Sequence, residues 1–313
     1  MKLFTKGLML SLLVSTGLLV AGTHNVNILT AANADGKITT KTIEAAFEKA
    51  GFFINDNRNM LPPFIKAYKT ADYDVYNLFT VFKKDDVLKL AKSHPRIGLF
   101  TPMSMSIYTK KGTKTISVSS LSASAMAEIM SIPADDKDLI AYGKLVEETI
   151  KAALPNATLE TVAYEMSKPK GPLVSRATLN MEKGADWEEV KDDFQLEFES
   201  ALPGKAFIMA GFNDLNYDFE EAEFEAYNFY DVYSICNISV IYTVSKTHPE
   251  AGAFAPCSMY MYNLKGSDTI EMGFPSVYNW IASLAIKDKP SEDVLIKAQK
   301  DFEEILKTLT AKK

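Results

Sequence analysis

The chain has little of what familiar enzyme sites require. Its 313 residues include two cysteines and three histidines. The sequence contains no glycine-rich phosphate loop, no nucleophile–base spacing and no zinc-type Cys/His cluster, which argues against a common hydrolase or nucleotide-dependent enzyme. Positive charge is also scarce, with 34 Lys and Arg against 40 Asp and Glu and a formal net charge of −6. We therefore expect no nucleic-acid partner, because such binding needs clustered basic residues.

The first 34 residues have the plan of a secretory signal peptide. Lysines at positions 2 and 6 precede an apolar stretch over residues 7–21, and the tripeptide Ala-Asn-Ala at residues 32–34 is a small-x-small cleavage site. An uncleaved membrane anchor is the alternative, but polar residues from Thr23 onward end the stretch before the ~20 apolar residues that a spanning helix needs. We predict cleavage after residue 34, a periplasmic location and no stable membrane insertion of the processed chain.

A long internal repeat organises the rest of the chain. Residues 92–116 and 246–270 align without gaps at an offset of 154, and 13 of the 25 aligned positions are identical. Unrelated segments would share roughly one or two. The tetrapeptide YDVY at residues 73–76 recurs at residues 230–233, an offset of 157. This second offset predicts three extra residues in the first copy, between YDVY and the His-Pro pair.

The repeat divides the processed chain into two tandem domains. The first copy is placed at residues 35–166 and the second at residues 167–313, which opens on the turn-forming segment SKPKGP. Helical periodicity and strand-like composition alternate in each copy. The predicted helices include 42–49, 138–154, 186–202 and 292–309, and the predicted strands include 73–81, 102–108, 230–238 and 256–262. We predict an α+β fold in which each copy is an antiparallel sheet with helices on one face.

Two motifs carry a family resemblance. Copy two has YDVYSICNI at residues 230–238 and PEAGAFAPCSMYMY at residues 249–262, and both resemble motifs of the domain-of-unknown-function 302 family. Copy one has PRIGLFTPMSMSIY at residues 95–108, where Met103 stands in place of the cysteine of the family pattern. The resemblance covers most of the chain as two copies. It implies a compact fold similar to the curved antiparallel sheet of the TATA-binding-protein class, and it implies no reaction.

The two cysteines are the first candidate site. Cys236 and Cys257 lie 21 residues apart on predicted strands that we expect to be neighbours. In an exported chain they could form a disulfide, or they could be two buried small residues. With His248 and Met259 they could instead supply the soft donors of a redox or Cu(I) site. The alternation that places Cys257 and Met259 on one strand face is, however, also typical of a core face.

The tyrosines are the second candidate site. Tyr260 and Tyr262 alternate with the sulfur-containing residues, so they are expected on the opposite face of the same strand. With Tyr108 of copy one they could line an aromatic groove for a small ligand. A tyrosine face at a pseudo-two-fold contact between the two copies explains the same pattern.

Two functions are compatible with these observations. The first is an exported, non-catalytic protein that binds a small molecule or a protein partner. The second is a thiol- or soft-metal-dependent redox protein acting through Cys236 and Cys257 with His248. The sequence identifies no cofactor, no bound metal and no specific partner, and it does not decide whether the chain is an enzyme.

Overall fold

The two copies have the same order of helices and strands. The computed structural model describes residues 25–160, 162 and 164–311. The strands of copy one are β1 (Val26–Ala32), β2 (Phe53–Asn59), β3 (Tyr73–Phe82), β4 (Met103–Lys110), β5 (Thr115–Leu121) and β6 (Thr158–Leu159), and its helices are α1 (Thr40–Lys49), α2 (Leu61–Tyr68), α3 (Lys84–Ser93), α4 (Ala123–Met130) and α5 (Lys137–Ala153). The strands of copy two are β7 (Val174–Asn180), β8 (Ile208–Asp214), β9 (Tyr227–Cys236), β10 (Cys257–Leu264) and β11 (Thr269–Pro275), and its helices are α6 (Trp187–Ala201), α7 (Leu215–Glu221), α8 (Ile238–Ser245), α9 (Val277–Ser283) and α10 (Lys289–Thr310).

Short 3₁₀ helices complete each copy. One follows the His-Pro pair in copy one (Pro95–Phe100) and another follows it in copy two (Pro249–Phe254); these are the two His-Pro helices. Copy two has a further 3₁₀ turn at Pro203–Lys205. Proline is well suited to the first position of such a helix, because it lacks the N–H that would be left unpaired there.

Each copy forms one antiparallel sheet. The strand order is β2-β3-β4-β5-β1-β6 in copy one and β8-β9-β10-β11-β7 in copy two, so the two orders match apart from the edge strand β6. The long helices of copy two pack on one face of its sheet. In copy two, Phe198 of α6 and Phe302 of α10 form a core with Met259, Met261 and Met272 of the sheet. The predicted α+β fold with two tandem copies is therefore confirmed.

The long helices begin at aspartate caps. Asp136, Asp186 and Asp288 accept backbone N–H groups from the first turns of α5, α6 and α10, respectively. Such caps satisfy donors that a helix start otherwise leaves unpaired. These helices lie where helical periodicity predicts them, with ends that differ from the predicted ones by at most three residues.

The repeat keeps one offset through its central strands. β3 and β9 start 154 residues apart, as do β4 and β10. Tyr76 faces Tyr108 across β3 and β4, and Tyr230 faces Tyr262 across β9 and β10. The alignment of YDVY at an offset of 157 is therefore wrong, and copy one has no three-residue excess. Copy two carries a further tyrosine at the same three-residue spacing, Tyr233, and this repetition produces the false match.

Strand β1 corrects the predicted start of copy one. Its seven residues pair with β5 along their whole length, from Val26 opposite Leu121 to Ala32 opposite Thr115, and four of the seven are buried. In copy two, β7 has the same place beside β11. A boundary after residue 34 would remove this strand, so copy one begins no later than Val26. The rest of the predicted signal peptide, residues 1–24, lies outside the described residues.

Within the described part of the chain, none of the helices combines the length and the apolar character needed to cross a membrane.

The copies contact each other through their His-Pro helices. The His-Pro helix of copy one lies on β10 and β11, and that of copy two lies on β4 and β5. The Tyr76 hydroxyl donates a hydrogen bond to the Pro249 carbonyl (3.0 Å), and the Tyr230 hydroxyl donates the equivalent bond to the Pro95 carbonyl. Each contact thus occurs twice with the roles of the copies exchanged, which is the pattern of a pseudo-two-fold relation.

Buried serines repeat this reciprocal pattern. Ser104 Oγ donates to the Pro256 carbonyl (2.8 Å), and Ser258 Oγ donates to the Pro102 carbonyl (3.0 Å). Both serines are buried. A buried hydroxyl needs a hydrogen-bond partner. The contact between the copies supplies that partner for both serines, since each hydroxyl donates to a carbonyl of the other copy.

Candidate functional site

The structure brings the two cysteines to one end of the copy-two sheet. Cys236 is the last residue of β9, and Cys257, the first residue of β10, lies opposite Ile235. Both cysteines are free thiols, and Cys236 is buried while Cys257 is partly exposed. The Cys257 thiol also lies 3.4 Å from the Phe254 carbonyl. The disulfide that an exported pair could form is therefore absent from this structure.

Both cysteines line an apolar cavity of about 60 Å³ in copy two. The cavity lies between the ends of β9, β10 and β11 and the helices α8, α9 and α10. Its walls include Phe207, Val240, Trp280, Leu295 and Phe302, and none of its lining residues is charged. An apolar wall of this kind favours an apolar occupant over an ion.

The thiols are not activated. Burial raises the pKa of Cys236 to about 12, and only the charge of Arg58 opposes this effect. Burial also raises the pKa of Cys257 to about 12, with a further contribution from Cys236. Both thiols are therefore protonated near neutral pH, whereas a nucleophile or a metal ligand must be a thiolate.

Of the other two candidate ligands, one shares this cavity and one does not. Met259 lies opposite Tyr233 on the helix-facing side of the sheet and lines the same cavity. His248 does not line it; its Nδ1 lies 3.2 Å from Glu250 Oε1. Among the described residues, no group of three or more His, Cys, Asp or Glu side chains could hold a metal ion. The predicted four-residue set is thus divided between two places.

His94 and His248 each make a hydrogen bond with an acidic side chain. Glu250 Oε1, which His248 contacts, also accepts a hydrogen bond from the Tyr164 hydroxyl (2.9 Å), and the Tyr164 ring meets the His248 ring edge-on. In copy one, His94 Nε2 lies 2.8 Å from Asp136 Oδ2, the cap of α5. These contacts fix the chain just before each His-Pro helix.

The tyrosines do not line one open groove. Tyr260 and Tyr108 are 2% and 4% exposed, whereas Tyr262 is partly exposed. Ring contacts link Tyr108 to the tyrosines of β3, and they link Tyr262 to Tyr230 and Tyr260. The three candidates therefore lie in two separate clusters, each at the contact between the copies.

Trp280 is a cavity residue that sequence reasoning missed. It belongs to α9, is buried, and its Nε1 has no hydrogen-bond partner among the described residues. Comparison of the two copies could have revealed the cavity. At the constant offset of 154, Cys236 corresponds to Phe82 and Cys257 to Met103, so the copy-two residues are smaller at both positions.

Comparisons with known proteins give no activity. No family model matches the chain. An uncharacterized protein from Aquifex aeolicus (strain VF5) is 31% identical over 77 residues, which are 24% of this chain and 53% of that protein, so the chain spans about half the length of this curated relative. A crystal structure of uncharacterized conserved protein DUF302 from Bacillus stearothermophilus is 14% identical and aligns with 45% of this chain and 99% of its own, with a TM-score of 0.36. Both of these proteins are described as uncharacterized.

Proposed function

We propose that this chain is an exported, non-catalytic binding protein whose second copy holds a small apolar molecule beside Cys236 and Cys257. The observation that carries this proposal is the uncharged cavity of about 60 Å³ that these residues line. An apolar cavity of about 150 Å³ accepts a benzene ring. The cavity of copy two is smaller than this. With its walls in place, it fits a molecule more compact than benzene or the end of a longer molecule.

The polar groups in the cavity wall support an apolar ligand. Gln299 Oε1 accepts the Val277 N–H (3.0 Å), and Gln299 Nε2 donates to Ser175 Oγ (2.6 Å). Asn237 Oδ1 accepts the Ser239 N–H (3.0 Å) and caps α8. Both amides are therefore engaged in holding the walls. The Trp280 Nε1–H is the donor in this wall that a ligand oxygen could satisfy, since it has no partner among the described residues.

The difference between the copies also supports the proposal. In copy one, Phe82 and Met103 occupy the positions of Cys236 and Cys257, and both are buried. The Phe82 ring packs on Phe53 with a centroid separation of 5.1 Å. Large side chains thus fill in copy one the space that two small thiols leave in copy two, which limits the proposed ligand site to copy two.

A thiol- or soft-metal-dependent redox protein is the second candidate. It is favoured by one observation, the three sulfur-containing residues Cys236, Cys257 and Met259 around one cavity. The raised pKa of both thiols weighs against it, because each bound soft metal would have to displace a tightly held proton.

Xenon binding followed by Trp280 fluorescence tests the first candidate, because xenon binds dry apolar cavities and is more compact than benzene. In a Trp187→Phe background, Trp280 is the remaining tryptophan. We expect saturable quenching by xenon, and we expect its loss when Cys236→Phe and Cys257→Met transfer the copy-one residues into copy two. Met105→Leu, a volume-conserving core change in copy one, is the control and should leave the response unchanged.

Two outcomes would contradict the proposal. One is an equal xenon response in the filled and unfilled proteins, provided that circular dichroism shows both to be folded. The other is a stoichiometric soft metal in protein purified from the native exported fraction, which would support the redox candidate instead.

A further inference from the structure

We propose a second binding site, for a small oxyanion, between Arg96, Arg176 and the tyrosines Tyr260 and Tyr262. This site lies on the face of the copy-two sheet opposite the cavity and is independent of the ligand proposed there. Its ligand would carry a carboxylate or a phosphate group, the groups that guanidinium forks bind best.

A row of cross-strand neighbours places Arg176 beside Tyr260. Tyr260 of β10 lies opposite Gly273 of β11, and Gly273 lies opposite Arg176 of β7. Directly opposite residues share a sheet face, so the three positions form one row. A Cβ on Gly273 would lie 2.6 Å from the Tyr260 hydroxyl oxygen. The Tyr260 side chain therefore lies across β11 toward the strand that carries Arg176, and only glycine leaves room for it.

The His-Pro helix of copy one brings Arg96 to the same face. Two residues after Arg96, the Gly98 N–H donates to the Tyr230 hydroxyl (3.0 Å), and a Cβ on Gly98 would lie 2.7 Å from Tyr260 Cβ. This close approach fixes the helix on the tyrosines. Burial raises the pKa of Tyr262, and the positive charges of Arg96 and Arg176 partly oppose this effect, as charges near the hydroxyl should.

One nitrogen of the partly buried Arg96 side chain lacks a hydrogen-bond partner within the described residues. This nitrogen, Nη1, is itself buried. An unpaired buried guanidinium nitrogen is costly, and a bound oxyanion would satisfy it. Two of the chain's three arginines act on the same tyrosines, Tyr260 and Tyr262, and one acid, Glu271, lies opposite Tyr262. Two positive charges against one negative charge leave the site attractive to an anion in a chain whose net charge is −6.

The equivalent position in copy two carries a charged side chain that has hydrogen-bond partners. At the offset of 154, Glu250 corresponds to Arg96, and it approaches the tyrosine cluster of copy one. Its carboxylate accepts a hydrogen bond from Tyr164 and contacts His248. Each His-Pro helix thus presents a charged side chain to the tyrosines of the other copy, but the Arg96 Nη1 is left without a partner among the described residues.

Calorimetric titration with inorganic phosphate, and separately with acetate, tests this site. We expect the native sequence to bind at least one of the two anions. Arg96→Gln and Arg176→Gln should each weaken that binding about ten- to a hundredfold, because each removes charged hydrogen bonds. Arg176 is exposed on an outer strand, so its substitution should not disturb folding. Lys183→Gln, which removes one positive charge from an exposed turn, should change the affinity less than twofold.

Three results would overturn the proposal. The first is that neither anion binds at tens of millimolar. The second is unchanged affinity in a folded Arg176→Gln protein. The third is an equal loss in the Lys183→Gln control, which would mean non-specific attraction. Arg96→Lys keeps the charge but loses the fork, so we expect its affinity to lie between those of the native protein and Arg96→Gln.

Discussion

Substitution of Gly252 by alanine should loosen the contact between the two copies. Gly252 lies in the His-Pro helix of copy two, and a Cβ there would lie 2.4 Å from Ser106 Cβ and 3.0 Å from Ser106 Cα. Ordinary van der Waals contact begins near 3.4 Å, so the helix and β4 would have to separate by about 1 Å. Such a shift opposes the bonds that hold Ser106, whose Oγ lies 3.0 Å from the Pro249 carbonyl and 2.6 Å from Ser119 Oγ.

Overpacking of this kind costs about 1–3 kcal/mol. At about 2–4 °C per kcal/mol for a chain of this size class, the melting temperature should fall by roughly 2–12 °C. Differential scanning calorimetry measures the shift. Gly204→Ala is the matched control, because a Cβ on Gly204 meets nothing within 4 Å. If Gly252→Ala and Gly204→Ala melted together, the close approach of the His-Pro helix to β4 would be refuted as a source of stability.

Three further predictions concern processing, the thiols and one buried acid. Intact mass of the exported protein should show cleavage before Val26, since cleavage after residue 34 would remove β1; a mature chain that starts at Asp35 would contradict this. A thiol reagent at pH 7 should label Cys236 and Cys257 only after denaturation, with or without reductant, because burial raises the pKa of both to about 12; rapid labelling of the native protein would be the opposite result. Burial raises the pKa of Asp231 to about 6, so the folded chain binds this proton more tightly than the unfolded chain does. Its contribution to stability is therefore present below about pH 4 and lost as the pH rises to about 6. Urea unfolding should show the free-energy difference between the native sequence and Asp231→Asn change by roughly 2 kcal/mol from pH 4 to pH 7.

The repeat and the strand faces could be predicted from the sequence because both depend on local pattern. The identities around the His-Pro pairs fix the offset of 154, and strict alternation places Met259 and Tyr260 on opposite faces of β10. The same local reasoning failed at YDVY, where tyrosines spaced by three allow two alignments. Only the pairing of Tyr230 with Tyr262 decides between them.

The strand β1 could not be separated from the predicted signal peptide by composition. Its sequence, VNILTAA, is largely apolar and runs into the Ala-Asn-Ala tripeptide at residues 32–34, which resembles a cleavage site. Its pairing with β5 involves residues about 90 positions away, and such long-range contacts leave no trace in local periodicity. The cavity was missed for a related reason, since its walls combine residues from β9 to α10.

Several of the positions that join the copies are identical in both. Gly98 and Gly252, Ser104 and Ser258, and Tyr76 and Tyr230 are identical pairs, and all of them take part in the reciprocal contact. A contact in which each copy meets the other through the same surface favours the same residue on both sides. One pair departs from this pattern, since Gly252 packs on Ser106 and Gly98 packs on the equivalent Tyr260.

The residues that differ lie at the two proposed sites. The two cysteines of copy two, in place of Phe82 and Met103 of copy one, decide which copy has a cavity. The exchange of Arg96 for Glu250 decides which tyrosine cluster faces a positive charge. The binding properties of the chain are therefore expected to be copy-specific, although its architecture is shared.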